Sequence, residues 1–396
     1  MPTLQNDFRS LFRTNNTETK CFRKALQLSP DDQKILLEAK KEIRKVIREG
    51  FETLKQSQKY QELKTVSTPK FAQQGSFVYG TINNPAYPPK QQLDLDYGIY
   101  LPFSDLEDGK FPKQTTDTFF SIVESLLINH IKNNKPQWEL AQKTTCVRVI
   151  LNEKMHIDLP LYGCPDAELS RVVEAAEVLM KSQNIRGFFD FNINEVKPID
   201  SKFIHLAHRK KGWVNSDPLI IRDWVKTHSH SHGPNNFLKD ICRYLKAWRD
   251  EVKDWRDGGG PSSILLLALT IELYSTEADG VHAQLEEIIN GLDERLLHPV
   301  NIPAPGQPND EEDLLQRLTL KELQDIKRKI YNLKEKYQKA TTIETTTECN
   351  KLLQEIFGHR FPYRPEDIKQ LVNAETIRKT PSVIKAALIP PSVTSG

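Results

Sequence analysis

The chain has 396 residues, of which 38% are apolar and 27% charged, a balance typical of a globular protein long enough for two domains. The 55 lysines and arginines against 53 aspartates and glutamates give a net charge of +2, so bulk charge gives no argument for a nucleic-acid coat. The five cysteines include no CxxC pair, which argues against a disulfide framework and a zinc ribbon. The longest apolar run, Ile264–Leu269, is too short to span a membrane, and no secretory signal is visible. We therefore expect a cytoplasmic protein.

The first predicted element is a long helix. Residues 1–28 carry little periodicity, and we treat them as an N-terminal extension. Ser29 then fits an N-cap with Pro30 at the first helical position, and apolar residues recur at helical spacing to about Gln58. We expect a spine helix that packs along a neighbouring domain.

Short mixed elements follow the spine helix. Turn-rich residues 83–92 separate the first two of them. In chain order these elements are Phe71–Gly80, Leu93–Pro102, a helix at Thr116–Asn133, and a strand pair at Thr145–Leu151 and Met155–Tyr162. The mixture predicts the α+β class, with a nucleotide-binding lobe at 29–212.

From residue 213 onward the pattern is helical. The predicted helices are Leu219–Thr227, Asn236–Val252, Ser262–Tyr274, Val281–Asn290, Asp310–Gln338, Ile343–Phe357 and Pro365–Asn373. We therefore place a helical domain at 213–375. Residues 376–396, with their prolines and small side chains, are predicted to form a flexible tail.

Three carboxylates carry the strongest chemical signal. Asp94 and Asp96 stand at i and i+2 of a strand, so their side chains point the same way. Asp158 lies in another strand-like run between Ile157 and Leu159, where an unpaired acid would be costly to bury. Converging carboxylates suit Mg²⁺, whose preferred oxygen ligands are often shared with substrate phosphates. Because two such ions can stabilise both oxygens of an in-line displacement, the pattern predicts a metal-dependent nucleotidyltransferase.

Phosphate-binding elements are suggested on either side of these acids. Gly75-Ser76 is a turn whose backbone N–H groups can approach a phosphate, although such a pair is usually only a turn. Arg243, Lys246 and Arg249 form a cationic stripe that can hold triphosphate oxygens, or else an ordinary solvated face. Ser262 and Ser263 open an apolar helix, where capping competes with phosphate binding.

A histidine cluster offers a second, weaker metal hypothesis. His228, His230 and His232 alternate beside Gly233-Pro234. We interpret them as a surface loop rather than a metal site.

Taken together, these residues resemble the cGAS/DncV-like nucleotidyltransferases, bacterial cyclic-oligonucleotide synthases, and within them the DncV branch. The resemblance spans roughly residues 30 to 290. It is carried by Gln74–Tyr79, Leu93–Pro102, His156–Tyr162, Trp213–Pro218, Leu245–Asp250 and Gly259–Ser263. It implies a polymerase β-like core joined to a helical domain, with the active site in the cleft between them.

The resemblance also implies roles for individual residues. Asp94, Asp96 and Asp158 match metal-binding acids that hold two Mg²⁺ ions, for which Mn²⁺ can substitute. The residues that match nucleotide-binding positions are Gln74, Gly75, Ser76, Tyr79, Arg148, Lys246, Ser262, Ser263 and Asp217. The implied substrates are ATP and GTP, joined into a cyclic dinucleotide such as 3′3′-cyclic GMP-AMP with release of pyrophosphate.

A further implication concerns the end of the chain and its partners. In this resemblance such synthases act in anti-phage (CBASS) defence beside a ubiquitin-transfer-like protein that joins the C-terminal glycine, here Gly396, to a target. A flexible tail ending in glycine fits that chemistry, although a final glycine by itself is not rare. We expect no membrane partner and no direct activation by DNA.

Two other functions share much of this pattern. A template-independent RNA or protein nucleotidyltransferase uses the same acids and would give a linear product or a labelled macromolecule. An inactive nucleotide sensor or scaffold is less compatible with three intact acids, because clustered carboxylates repel one another unless a metal neutralises them. A different cyclic dinucleotide or trinucleotide also remains open.

Overall fold

The computed structural model describes nine parts of the chain: residues 4–14, 19–56, 68–103, 115–165, 204–230, 237–275, 278, 280–304 and 308–372. Within them, no helix is long and apolar enough to cross a membrane. The predicted tail at 376–396, with Gly396, lies outside the described residues.

Helices and strands are mixed in the first half, and helices dominate the second, which confirms the α+β class. The strands are β1 (Leu4–Asp7), β2 (Lys70–Gln73), β3 (Leu93–Phe103), β4 (Glu139–Gln142), β5 (Cys146–Asn152), β6 (Met155–Pro165), β7 (His205–His208), β8 (Gly212–Asn215), β9 (Asn301–Pro303), β10 (Glu311–Asp313) and β11 (Lys369–Val372). The α-helices are α1 (Arg9–Phe12), α2 (Phe22–Ala25), α3 (Pro30–Lys55), α4 (Gly75–Tyr79), α5 (Thr115–Asn134), α6 (Pro218–His230), α7 (Leu238–Glu251), α8 (Ser263–Glu272), α9 (Gly280–Arg295), α10 (Leu320–Thr342) and α11 (Thr346–Phe357).

A seven-stranded sheet forms the first lobe. Its main path runs β2-β3-β6-β5-β4, with β7 beside β6 and β8 beside β7. Only the β3–β6 pair is parallel among the described strand pairs of this sheet. Because β7 and β8 belong to it, the sheet continues as far as Asn215, slightly beyond the predicted boundary at 212.

The spine helix α3 begins as the sequence predicts. Ser29 caps it by accepting a hydrogen bond from the backbone N–H of Asp32 at 3.1 Å, and Pro30 occupies the first turn. Its apolar residues Ile43, Ile47 and Phe51 are fully buried and share one core with helix α5 and the sheet. The helix therefore covers one face of the sheet and leaves the acids of β3 and β6 on the opposite face.

A second core joins the helical lobe to the N-terminal residues. Phe8, Phe12 and Phe22 are fully buried among aromatic residues of α7 and the C-terminal segment, with Phe12 5.1 Å from the ring of Tyr244. Residues 4–14 and 19–28 are therefore an integral part of the structure rather than a loosely specified extension.

Two predicted helices are corrected. Residues 310–318 form the short strand β10 and a 3₁₀ turn at Leu314–Arg317, and the helix begins only at Leu320. The predicted helix Pro365–Asn373 is a 3₁₀ turn followed by β11, which pairs antiparallel with β1 at the opposite end of the chain. A local helical pattern cannot reveal a strand partner more than 350 residues away.

Candidate active site

The three predicted acids converge because of the β3–β6 register. In this parallel pair Asp94 lies opposite His156 and Asp96 lies opposite Asp158. Since alternate residues of a strand share a face, all four side chains lie on the same face of the sheet. Ligand atoms of Asp94, His156 and Asp158 all lie within 4.8 Å of one another, a spacing suited to a metal ion.

Asp96 has a perturbed carboxyl group. Burial, together with the negative charges of Asp94 and Asp158, raises the pKa of Asp96 to about 8. Keeping all three carboxylates charged therefore costs free energy in the absence of a divalent cation. A divalent cation with oxygen ligands would remove that cost, so the residues fit the metal that the sequence predicts.

The Gly75 turn faces this carboxylate directly. Gly75 has φ +64°, and a Cβ at this position would collide with Oδ2 of Asp96. Glycine is therefore required both for the backbone conformation and for the close approach. The turn opens the short helix α4, so its backbone N–H groups lie next to the acids.

The Gln74 side chain supports the turn through two tyrosine hydroxyls. Its Nε2 donates to the hydroxyl of Tyr100 at 2.8 Å, and its Oε1 accepts from the hydroxyl of Tyr162 at 3.1 Å. The two tyrosine rings stack at 4.9 Å, and Gly98 leaves the space for the Gln74 amide. The Gln74 side chain therefore positions the turn, and any nucleotide contact of this residue stays a prediction.

Ser76 and Tyr79 follow on α4 and both line the cleft. The backbone N–H of Thr81 donates to the carbonyl of Ser76 at 2.9 Å, which closes the turn after the helix. Burial and the charge of Asp96 raise the pKa of Tyr79, so its hydroxyl stays neutral. Its predicted position beside a base is compatible with this location but is not tested by it.

Arg148 lies on β5 opposite Asp158 and pairs with it. Its Nε donates to Oδ1 at 2.6 Å and its Nη2 to Oδ2 at 2.7 Å. Arg148 also lines the cleft, where its predicted contact is with the acceptor nucleotide. In the nucleotide-free chain its guanidinium neutralises the Asp158 carboxylate.

Helices α7 and α8 form the opposite wall. Lys246 is 6% exposed, and its Nζ donates to the Thr81 carbonyl at 2.8 Å. Burial and the nearby charge of Arg249 lower the pKa of Lys246 to about 8. Arg249 donates to the hydroxyl of Ser263 at 3.0 Å, and all three of these side chains line the cleft.

The stripe on α7 is not a solvated face. Arg243 is 3% exposed and bonds reciprocally with Asn83: its Nε donates to Oδ1 and its carbonyl accepts from Nδ2. Arg243 thereby ties residues 81–92 of the first lobe to the helical wall. Lys246 and Arg249 are left facing the cleft.

Two predicted nucleotide-binding residues lie outside the cleft lining. Ser262 caps α8 by accepting from the backbone N–H of Leu265 at 3.2 Å. Asp217 is 4% exposed and accepts from the backbone N–H of Leu219 at 2.8 Å, and burial raises the pKa of Asp217 to about 6. Their contacts with a nucleotide stay predictions.

The histidine cluster is corrected in part. His228 belongs to helix α6, which continues to His230, and its Nδ1 lies 2.8 Å from the carbonyl of Trp224 one turn earlier. His232 lies outside the described residues. The expected loop at residues 228–230 is therefore the last turn of a helix.

His156 and Gln92 are two cleft residues that our sequence reasoning did not single out. His156 stands two residues before Asp158 on the same strand, so the alternation argument applied to Asp94 and Asp96 would have placed it on the metal-facing side. The whole cleft has a volume of about 660 Å³, within the range of small-molecule sites.

Family models match both walls of this cleft. Residues 69–162 match the cyclic GMP-AMP synthase DncV-like nucleotidyltransferase domain, and residues 235–369 match the cyclic GMP-AMP synthase C-terminal domain. The first match contains the turn and the three acids. The second contains Lys246 and Ser263.

Curated relatives and solved structures agree with these matches. The chain is 31% identical to the cyclic GMP-AMP synthase of Vibrio cholerae over 308 residues, 74% of this chain and 68% of the relative. A cyclic GMP-AMP synthase of Escherichia coli is 32% identical over 217 residues, 53% of this chain and 48% of the relative.

Among solved structures, Vibrio cholerae DncV in complex with the linear intermediate pppA(3′,5′)pG superposes with a TM-score of 0.73 at 26% identity, covering 94% of this chain and 100% of the other. DncV with nonhydrolyzable GTP gives 0.71 at 26% identity, with 92% and 98% covered.

Proposed function

Because the chain belongs to the DncV-like nucleotidyltransferase family, we propose that it joins ATP and GTP into a cyclic dinucleotide such as 3′3′-cyclic GMP-AMP, with release of pyrophosphate. The observation that carries this proposal is a single cleft with acids on one wall and cations on the other. Asp94 and Asp96 line the cleft from the sheet, with Asp158 opposite Asp96 on the neighbouring strand, and Lys246 and Arg249 line it from α7.

The acids would hold divalent metal ions, for which Mg²⁺ is the proposed species. Such ions neutralise the triphosphate charge and lower the pKa of the attacking 3′-hydroxyl. The fit rests on the carboxylate oxygens of Asp94, Asp96 and Asp158 and on the raised pKa of Asp96, which marks a site short of positive charge.

The chain's own residues then have distinct tasks in the proposed reaction. The Gly75-Ser76 turn binds the donor triphosphate through backbone N–H groups and a hydroxyl, and Lys246 with Arg249 neutralises its outer phosphates. The 3′-oxygen of the other nucleotide bonds to the donor α-phosphorus while the bond to the β-phosphate oxygen breaks. Pyrophosphate and the hydroxyl proton leave, and a second such attack closes the ring. Catalysis here is mainly positioning and charge neutralisation.

The two-wall cleft supports this reaction over a macromolecular acceptor. Arg243 and Asn83 tie the walls together, so the acids and Lys246 keep a fixed separation. A cleft of about 660 Å³ with these walls suits small nucleotides.

The direct test is product identification. Purified full chain is incubated with Mg²⁺ and the four NTPs, treated with phosphatase, and the surviving products are identified by mass spectrometry. We expect a phosphatase-resistant cyclic species from the wild type and from Asp117→Asn, which alters an exposed acid of α5, and none from Asp96→Asn. A linear product, a labelled macromolecule, or equal yield from Asp96→Asn would refute the proposal.

We further propose that the product serves anti-phage defence and that Gly396 is joined to a target by a ubiquitin-transfer-like protein. The support for this proposal is the family membership. Deleting Gly396 in cells that contain the partner should abolish conjugation and protection while leaving the unconjugated synthase intact. Unchanged protection and conjugation would contradict this role.

A further inference from the structure

His156 lies beside Asp94 in the metal-facing cluster but is not one of the three acids. The two residues face each other across β3 and β6, with Nε2 of His156 3.1 Å from Oδ1 of Asp94. The His156 side chain is 6% exposed, so solvent cannot satisfy it.

A chain of hydrogen bonds fixes the proton on this ring. Gln92 donates through Nε2 to the backbone carbonyls of Glu153 at 3.1 Å and Asn152 at 3.4 Å. Its Oε1 therefore faces Nδ1 of His156, at 2.9 Å, and an amide oxygen can only accept. Nδ1 therefore carries a proton, and in the neutral form of the ring this tautomer leaves a lone pair on Nε2, directed at Asp94.

In that form two acceptor atoms face each other in a buried position. Neither Nε2 of His156 nor Oδ1 of Asp94 has a hydrogen-bond partner within the described parts of the chain. A shared cation satisfies both atoms. Ligands at adjacent octahedral positions with bonds of about 2.1 Å lie about 3 Å apart, which matches the observed 3.1 Å.

We propose that His156 is a direct ligand of the metal bound by Asp94, through Nε2, and that Gln92 is the positioning residue that fixes its tautomer. This inference rests on the metal site of the proposed function and adds a nitrogen donor to its oxygen set. A backbone-anchored partner on the distal ring nitrogen is the usual support of a metal-binding histidine. Because imidazole favours transition metals over Mg²⁺, the site should bind Mn²⁺ more tightly than Mg²⁺.

Pulsed electron paramagnetic resonance of Mn²⁺ on the nucleotide-free full chain tests the proposal directly. A nitrogen ligand gives a ¹⁴N coupling, and labelling the protein with ¹⁵N-histidine must convert it to a ¹⁵N coupling. His156 is the histidine among the described residues that line the cleft, so the wild-type signal alone is informative. Absence of any histidine coupling at saturating Mn²⁺ would overturn the proposal.

Variants then assign the signal. His156→Gln should abolish the coupling and weaken Mn²⁺ binding at least about tenfold, whereas His130→Gln, which alters a histidine paired with Glu42 away from the cleft, should leave both unchanged. Gln92→Leu should keep the coupling but weaken binding by a smaller factor. A coupling that persists in folded His156→Gln protein contradicts the assignment.

The outcome separates this inference from the proposed function. If the wild type shows the coupling but makes no cyclic product, the proposed function fails and the ligand assignment stands. If it makes the product without a histidine coupling, only the ligand assignment fails.

Discussion

Arg148 donates two hydrogen bonds to Asp158, one to each carboxylate oxygen. The side chain of Asp158 is only 11% exposed, so the pair is well shielded from solvent. The carboxylate is thereby neutralised by a protein cation when no metal is bound. A metal held by Asp158 would supply charge beside the same carboxylate that Arg148 neutralises, so we expect the metal affinity and the stability of the chain to depend on each other.

Replacing this arginine should destabilise the metal-free chain. Arg148→Met leaves the buried Asp158 carboxylate without its counter-ion, and we expect the free energy of unfolding in EDTA to fall by about 3 kcal/mol. Excess Mn²⁺ should recover part of the loss because the cation replaces the lost charge. Urea unfolding followed by circular dichroism measures both effects.

Arg317→Met is the matched control. Arg317 makes an equally short bidentate pair with Glu312, but its side chain is 50% exposed. Exposed pairs contribute at most about 1 kcal/mol, so this variant should unfold almost as the wild type does. Equal losses in the two variants would mean that the shielding of Asp158 is unimportant.

Gly75→Ala should damage catalysis through a steric contact with Asp96. The new Cβ meets the carboxylate oxygen and forces the turn away from the acids. A displacement of about 1 Å at reacting groups lowers rates about 100-fold, and we expect this loss in the initial rate of cyclic product formation. Gly212→Ala separates the contact from backbone strain, because Gly212 has φ +73° but open space around its Cβ position. A similar rate loss in both variants would indicate general destabilisation.

Part of this site could be read from local sequence rules. Alternation along one strand places Asp94 and Asp96 on one face, and the capping pattern at Ser29 gives the start of the spine helix. The partnership with Asp158 also follows if its strand lies alongside, as the β3–β6 register confirms. The exact neighbours of each acid, such as Arg148 from β5, depend on the strand order, which the local pattern does not contain.

Other features depend on contacts far apart in the chain. Asn6 donates to the carbonyl of Ala340, a separation of 334 residues. The periodicity of the residues around Asn6 cannot predict a partner so far away in the chain. The late start of α10 had a local signal that we did not use: Thr319 and Glu322 form a capping box, which marks the helix start after residues 310–318. Acidic and leucine residues before it imitate a helical pattern but are held by Asp313 in a short turn.

Asp96→Asn should alter the pH dependence of stability in the metal-free chain. The pKa of Asp96 is raised to about 8 by burial and by its acidic neighbours, so the native state binds a proton more tightly than the unfolded state. Stability of the wild type therefore falls as pH rises from about 4 to about 8. The variant lacks this titrating group. Asp96→Asn should therefore match the wild type in unfolding free energy near pH 4 and become increasingly more stable than it toward pH 8, as measured by urea unfolding in EDTA.

Asp32→Asn gives the opposite sign and serves as the control for this experiment. Burial opposes the effect, but hydrogen bonds from Lys154 and Ser29 lower the pKa of Asp32 below its usual value. Its stabilisation is present above the unfolded pKa and is lost as pH falls through the folded value. Asp32→Asn should therefore be less stable than the wild type at neutral pH and approach it in acid. Parallel pH profiles for the two variants would contradict the burial of Asp96.

Lys246→Met should weaken substrate binding without weakening the fold. Burial and Arg249 lower the pKa of Lys246 to about 8, so its charged form is disfavoured in the native state. Removing this charge offsets the loss of the hydrogen bond to the Thr81 carbonyl, so we expect little change in the free energy of unfolding at neutral pH. The triphosphate loses a charged donor, and we expect the KM for ATP to rise about tenfold.

Lys40→Met is the matched control. Lys40 is 8% exposed, and burial together with the charges of Arg44 and Lys41 lowers its pKa to about 8. It lies on α3, outside the cleft. It should share the effect on stability and keep the wild-type KM. A tenfold rise in both variants would show that the loss of a buried lysine, rather than its place opposite the acids, weakens binding.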